Sequence, residues 1–129
     1  MMGRDQEVIS ILEDALQSAD QDSPAIFIMA LSYQNLKEYR RAIRLYEKLA
    51  SRRSAKDEIF YNLGICYGRL NKLALAHYNF GLYFTKIHQM SKARFHFQKA
   101  DDLTENNPSL RKRIRSAMRD ISIENRLTR

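Results

Sequence analysis

The chain holds 129 residues, 44% hydrophobic and 29% charged, with a formal net charge of +7. That balance excludes a disordered chain and a membrane-embedded one, and the length fits one domain with a core of its own. Four Gly and two Pro are too few for the frequent turns of an all-β chain, and the one cysteine, Cys66, excludes an internal disulfide framework and a cysteine-based zinc cage.

Apolar residues recur at helical spacing along the whole chain, and seven helices are predicted, near 4–19, 24–35, 39–52, 57–70, 73–87, 90–104 and 108–126. The first is acidic. The second and the last open on Ser23-Pro24 and Asn107-Pro108, a capping side chain followed by a proline at the first helical position, where a missing N–H costs nothing. The fourth opens on Asp57-Glu58, whose charges favour a helix N-terminus. The breaks ADQDS, NLKE, SRRSAKD, LNK, HQMS and TENN are short and polar, which predicts antiparallel neighbours. No apolar run approaches the length of a membrane span, and the stretch 1–20 is polar and acidic. Neither a transmembrane span nor a signal peptide is therefore expected.

The helices repeat. Tyr33 and Tyr67 lie 34 apart, as do Ala42 and Ala76, Ile26 and Phe60, and Tyr46 and Phe80; Met29-Ala30 returns as Leu63-Gly64. The lattice extends outward to Val8, Leu12 and Ala15 and to Leu110, Ile114 and Ala117. An echo at half the period is also present: Phe80-Gly81, Phe84, Ala93 and Phe97 restate Leu63-Gly64, Tyr67, Ala76 and Phe80. Helix 90–104 fits the longer lattice poorly, with Arg94 at a bulky position and Gln98 at a small one, so regular packing is expected through residue 87.

On these residues the chain resembles the tetratricopeptide repeat (TPR) family, whose units pair a first helix bearing a bulky residue, Leu-Gly and Tyr with a second bearing Ala, an aromatic and Ala. FYNLGICYGRLNKLALAHYNF carries the pattern at Phe60, Leu63, Gly64, Tyr67, Ala76 and Phe80; IFIMALSYQNLKEYRRAIRLYEKL carries it at Ala30, Tyr33, Tyr39, Ala42 and Tyr46. The resemblance implies an all-α fold, a solenoid of antiparallel helix pairs wound into a right-handed superhelix. It divides the single domain 1–129 into a half-repeat or cap helix at 4–22, repeats at 23–56 and 57–90, and a degenerate repeat with a cap helix at 91–129. The stretch GLYFTKIHQMSKARFHFQKA, after LALAHYN, is similar to TPR segments appended to bacterial membrane-associated zinc metallopeptidases. Such a parent would place the chain in the periplasm; otherwise the cytoplasm is the default.

Catalysis is not expected in the chain itself. HExxH, a P-loop and a Gly-rich dinucleotide turn are all absent, and no cofactor or metal is implied. His77, His88 and His96 are not paired with each other or with a carboxylate at helical spacing, and are read as structural or surface histidines. Cys66 has no histidine within a turn and is read as an inert buried thiol. Asp101-Asp102, near a helix C-terminus and against its dipole, is read as solvent-exposed.

Charge is segregated. Residues 1–22 hold six acids and one base, residues 23–56 eight bases and two acids, and residues 109–129 seven bases and two acids. Arg40, Arg41 and Arg44, with Arg111 and Arg115, form a candidate basic patch for nucleic acid or an anionic membrane. They fall on second-type helices without interleaved aromatics for base stacking, so solvated faces, or pairing with an acidic helix, are the favoured reading.

The resemblance places first-type helices on the concave side of the stack, which makes Phe27, Leu31, Gln34, Tyr61, Asn62, Ile65 and Arg69 the candidate partner-binding groove. TPR modules that clamp a peptide carboxylate carry Lys and Asn where this chain has Phe27 and Leu31, which disfavours a clamp. An extended or helical protein segment docking apolar anchors fits better. The expected function is a non-catalytic interaction scaffold within a larger protein. An oligomerisation arm of a zinc metallopeptidase, self-association through uncapped repeat ends and basic-patch binding stay open as alternatives.

Overall fold

The structure is a computed structural model and describes residues 2–16 and 22–127. Residues 17–21, with the end of the first predicted helix and most of the ADQDS connection, lie outside the described residues, as do the side chains of Leu12 and Ala15. Seven α-helices and no strand occur among the described residues: α1 Met2–Leu16, α2 Ser23–Asn35, α3 Tyr39–Ala50, α4 Asp57–Arg69, α5 Leu73–Lys86, α6 Met90–Leu103 and α7 Pro108–Leu127. The helices after the first lie within two residues of the predicted bounds at each end.

Each helix packs mainly on its neighbours in the chain, from α1 on α2 to α6 on α7, with a further contact between α5 and α7. Partner positions fall on one helix as they rise on the next, so the neighbours run antiparallel. Gly64 faces Phe80 where Gly68 faces Ala76, and Phe80 meets His96 where Phe84 meets Lys92.

Two contacts recur along the stack. The first seats a ring on bare backbone: a Cβ added to Gly64 would lie 2.6 Å from the Phe80 ring, and one added to Gly81 would lie 2.5 Å from the Phe97 ring. Ala30 and Tyr46, both fully buried, hold the positions one full period before Gly64 and Phe80. The second is an aromatic pair at constant sequence separation: Phe27 on Tyr46 (centroids 6.0 Å), Tyr61 on Phe80 (5.5 Å) and Tyr78 on Phe97 (6.0 Å). The α4–α5 joint is therefore restated half a period later by α5–α6. Regularity carries past residue 87, because Ala93, Phe97 and Ala100 take the buried positions on α6 while Arg94 and Gln98 turn to solvent.

The connections repeat as well. Lys37, Asn71 and His88 adopt the left-handed region, with φ of 61°, 59° and 62°. In each case two N–H groups close the helix end on the same carbonyls: Lys37 on Gln34 and Glu38 on Tyr33, Asn71 on Gly68 and Lys72 on Tyr67, His88 on Thr85 and Gln89 on Phe84. This Schellman arrangement satisfies carbonyls that the helix leaves unpaired. A side chain at such a position costs about 1 kcal/mol, a strain that the flanking helix contacts hold in place.

The core divides at the α4–α5 joint. One cluster gathers α1 to α4 around Ile26, Ala30, Ala42, Tyr46 and Leu63; the other gathers α5 to α7 around Ala93, Phe97, Ile114 and Ile121. The Tyr46 hydroxyl inside the first donates to Gln34 Oε1 at 2.7 Å, which satisfies a phenol that burial raises well above its ordinary pKa.

Gly81→Ala provides a test by its sign. Alanine is the better helix former by about 1 kcal/mol, so an unconstrained site would gain stability. Against the fully buried Phe97 ring the added methyl overpacks the joint, and urea unfolding should show a net loss of ~1–3 kcal/mol. A gain would contradict the contact.

Candidate docking site

A cleft opens where α2 begins, α3 ends and α4 begins. Asp22 caps α2, its carboxylate accepting the Ala25 N–H at 3.3 Å, and Pro24 follows at the start of the helix. α3 stops at Ala50, where the Ser51 hydroxyl donates to the Lys48 carbonyl at 2.7 Å and the chain turns away. Between these ends lies a space of about 410 Å³ walled by Phe27, Ile28, Leu49, Ala55 and Ile59. Ile28 remains 49% exposed. Arg52 and Lys56 stand at the rim, and the Arg52 guanidinium donates to the Ser23 hydroxyl, which ties the α3–α4 connection to the start of α2.

The sequence grouped Phe27, Leu31, Gln34, Tyr61, Asn62, Ile65 and Arg69 in one lining. In the structure Phe27 enters the cleft, whereas Tyr61 lies against Phe80 and Tyr83 on α5, 43% exposed. Phe27 and Tyr61 hold equivalent positions one period apart, each edge-on to an aromatic of the following helix. Leu31 and Ile65 are half-buried and Arg69 is exposed. The Gln34 amide oxygen accepts from Tyr46, and the Asn62 amide donates to the Glu58 carbonyl at 3.0 Å, one turn back on its own helix. Ile28, Ala55 and Ile59 were not singled out from the sequence. For Ile28 the signal was the continuous apolar run AIFIMAL, which exceeds what one buried helical face can use; Ala55 and Ile59 carried none.

From Tyr61 the rings continue through Tyr83, Phe84 and His96 to Phe95, which is 56% exposed. Lys92 lies over Phe84 at 5.5 Å and Lys99 over Phe95 at 5.9 Å. Helical spacing hid a further pairing here. His77 and His96 meet across the α5–α6 joint, Nδ1 to Nδ1 at 3.0 Å.

The basic residues divide between two helices. Arg40 and Arg44 are exposed on α3, where Arg41 pairs with Glu38 at 3.4 Å and covers the Tyr33 ring. On α7, Arg115 and Arg111 reach Asp101 Oδ1 at 3.4 and 3.7 Å, and Arg111 also donates to the Thr104 carbonyl. Asp101 is thus not the solvent-exposed carboxylate that its sequence position implied. Its side chain is 20% exposed and anchors the start of α7 to the end of α6.

No family model, curated protein or solved structure matches this chain. Among the described residues no group of three or more His, Cys, Asp and Glu side chains is placed to hold a metal ion, and no helix is long and apolar enough to cross a membrane.

Cys66 is fully buried in the first cluster, and burial pushes its thiol up to about 12. Reactivity requires the thiolate, so the folded protein should leave a thiol-reactive disulfide reagent unconsumed at pH 8 and release one equivalent only after denaturation. Prompt reaction in the folded state would contradict the placement.

Proposed function

We propose that the chain is a TPR-type protein-interaction scaffold, a right-handed solenoid of helix pairs that docks a partner segment through apolar anchors. The observation that carries the reading is the open cleft of Phe27, Ile28, Leu49 and Ile59, with Lys56 at its rim, set between the starts of two repeat-equivalent helices. An apolar cavity with few polar groups is the form that ligand and peptide sites take. Support for the TPR assignment comes from the equivalence of α2–α3 and α4–α5, at a spacing of 34, in helix bounds, turn geometry and aromatic pairs. In such stacks each unit contacts its neighbours and leaves an extended surface for a partner.

The occupant is an extended or helical protein segment with an apolar side chain for the cleft and an acidic residue for Lys56. Tyr61 and Phe95 offer further apolar contacts along the same molecule. Catalysis by the chain itself forms no part of the proposal. Arg111 and Arg115 are held by Asp101, which weighs against the basic-patch alternative.

Peptides selected from a displayed random library should carry an apolar anchor flanked by acid, and Ile28→Lys should weaken them about 10- to 100-fold with an unchanged helical spectrum, as befits a lost buried side chain. Tyr61→Lys, on the ring face, should weaken longer peptides further. Peptides that bind wild type and Ile28→Lys equally would overturn the cleft assignment. Salt-dependent binding of RNA, DNA or acidic vesicles at ~50 mM salt would support the basic-patch reading instead.

A further inference from the structure

His77 on α5 and His96 on α6 stand at the same sequence separation as the three aromatic pairs, each one residue before Tyr78 and Phe97 on the same two helices. Their Nδ1 atoms are 3.0 Å apart, their centroids 5.2 Å apart and their planes 30° apart. The centroid spacing exceeds the nitrogen spacing by about the two ring radii, so the imidazoles meet edge to edge, nitrogen facing nitrogen. Phe84 lies parallel to His96 at 5.3 Å, and Phe80 and Phe95 close on it at 5.4 and 5.2 Å, which leaves the ring little freedom to turn away.

We propose that this pair is a proton-operated latch on the α5–α6 joint, closed while the two rings share one Nδ1 proton and forced open when each carries its own. Donor and acceptor capacity decides the state. Two neutral rings make the bond with one Nδ1 as donor and the other as acceptor, and an imidazolium facing an imidazole makes it as well. In the doubly protonated pair both nitrogens are donors, and two like charges face each other at hydrogen-bond distance.

The surroundings act in the same direction. Lys99 and Lys92 of α6 lie close by, Lys99 over Phe95 and Lys92 over Phe84. α4 approaches through Tyr61 on Phe80, and α7 contributes Arg113 over Tyr78. The carboxylates of this region are engaged elsewhere, Asp101 with Arg111 and Arg115 and Asp102 with Gln98. Burial lowers both histidines below their usual 6.5, helped by Lys99 at His77 and by His77 at His96. A metal ion fits poorly, because the two nitrogens point at each other across 3.0 Å and Lys92 and Lys99 lie close by.

The sign follows from linkage. Because the folded pKa values are depressed, the unfolded chain takes up protons first as the pH falls through 6.5. The latch's contribution is present above that pH and lost below it. Opening it releases α6, and with it the Phe97 ring on Gly81, so acidification loosens the α6–α7 end of the stack.

Histidine side-chain NMR from pH 8 to 4.5 tests this in the unaltered protein. The pair should titrate in two separated steps, both below the ordinary 6.5, and His77→Gln should collapse the His96 response to one. In parallel, lowering the pH from 7.5 to 5 should reduce the wild-type Tm by ~5 °C more than that of His77→Gln/His96→Gln. Independent single-step titrations of His77 and His96 at the ordinary 6.5, or an equal acid loss in the double variant, would overturn the proposal. The wild-type titration needs no variant to fold.

Discussion

The molecule depends on a ring seated where a neighbouring helix has no side chain. Phe80 occupies the space a Cβ would take at Gly64, and Phe97 does the same at Gly81. Two helices that meet this way approach more closely than side chains on both would allow, and each aromatic buries its face against backbone as well as against its own neighbours. The contact fixes register along the helices, since sliding either one by a single position drives the ring into a side chain. Once the register is set, the recurring aromatic pairs and the identical turns at Lys37, Asn71 and His88 take consistent places around it.

α5 uses this contact twice. It supplies the ring for α4 through Phe80 and the vacancy for α6 through Gly81, adjacent residues whose side-chain positions point about 100° apart around the helix. A helix that is both partner and platform turns a helix-pair repeat into a single-helix one. The chain accordingly passes from the full period to the half period at its middle. The two clusters of the core meet across α4 and α5, where Gly64 receives Phe80, so this glycine joins the two halves.

Much of this was legible in the sequence. Pro24 and Pro108 marked helix starts, alanines and aromatics at a spacing of 34 marked the pairs, and Phe80-Gly81 carried the half-period echo. The left-handed turns were not marked, because Lys, Asn and His stand where glycine usually signals that conformation. Asp101 looked exposed because its partners, Arg111 and Arg115, lie beyond a connection on another helix. The His77–His96 pair was hidden for a related reason, since its separation is no helical spacing and acquires meaning only once the antiparallel joint is laid over the chain. The candidate groove divided because Phe27 and Tyr61 each lean on the aromatic of their own following helix. What opens beside Phe27 is a cleft made by three helix ends, whose position depends on where α3 stops.

The most direct test of this account is a double-mutant cycle on Gly81 and Phe97, measured by urea unfolding. If the ring is seated on the glycine, Phe97→Leu makes room for the methyl of Gly81→Ala, and the two losses should combine to less than their sum by ~1–2 kcal/mol. Additive losses would contradict the contact on which the rest of the fold is built.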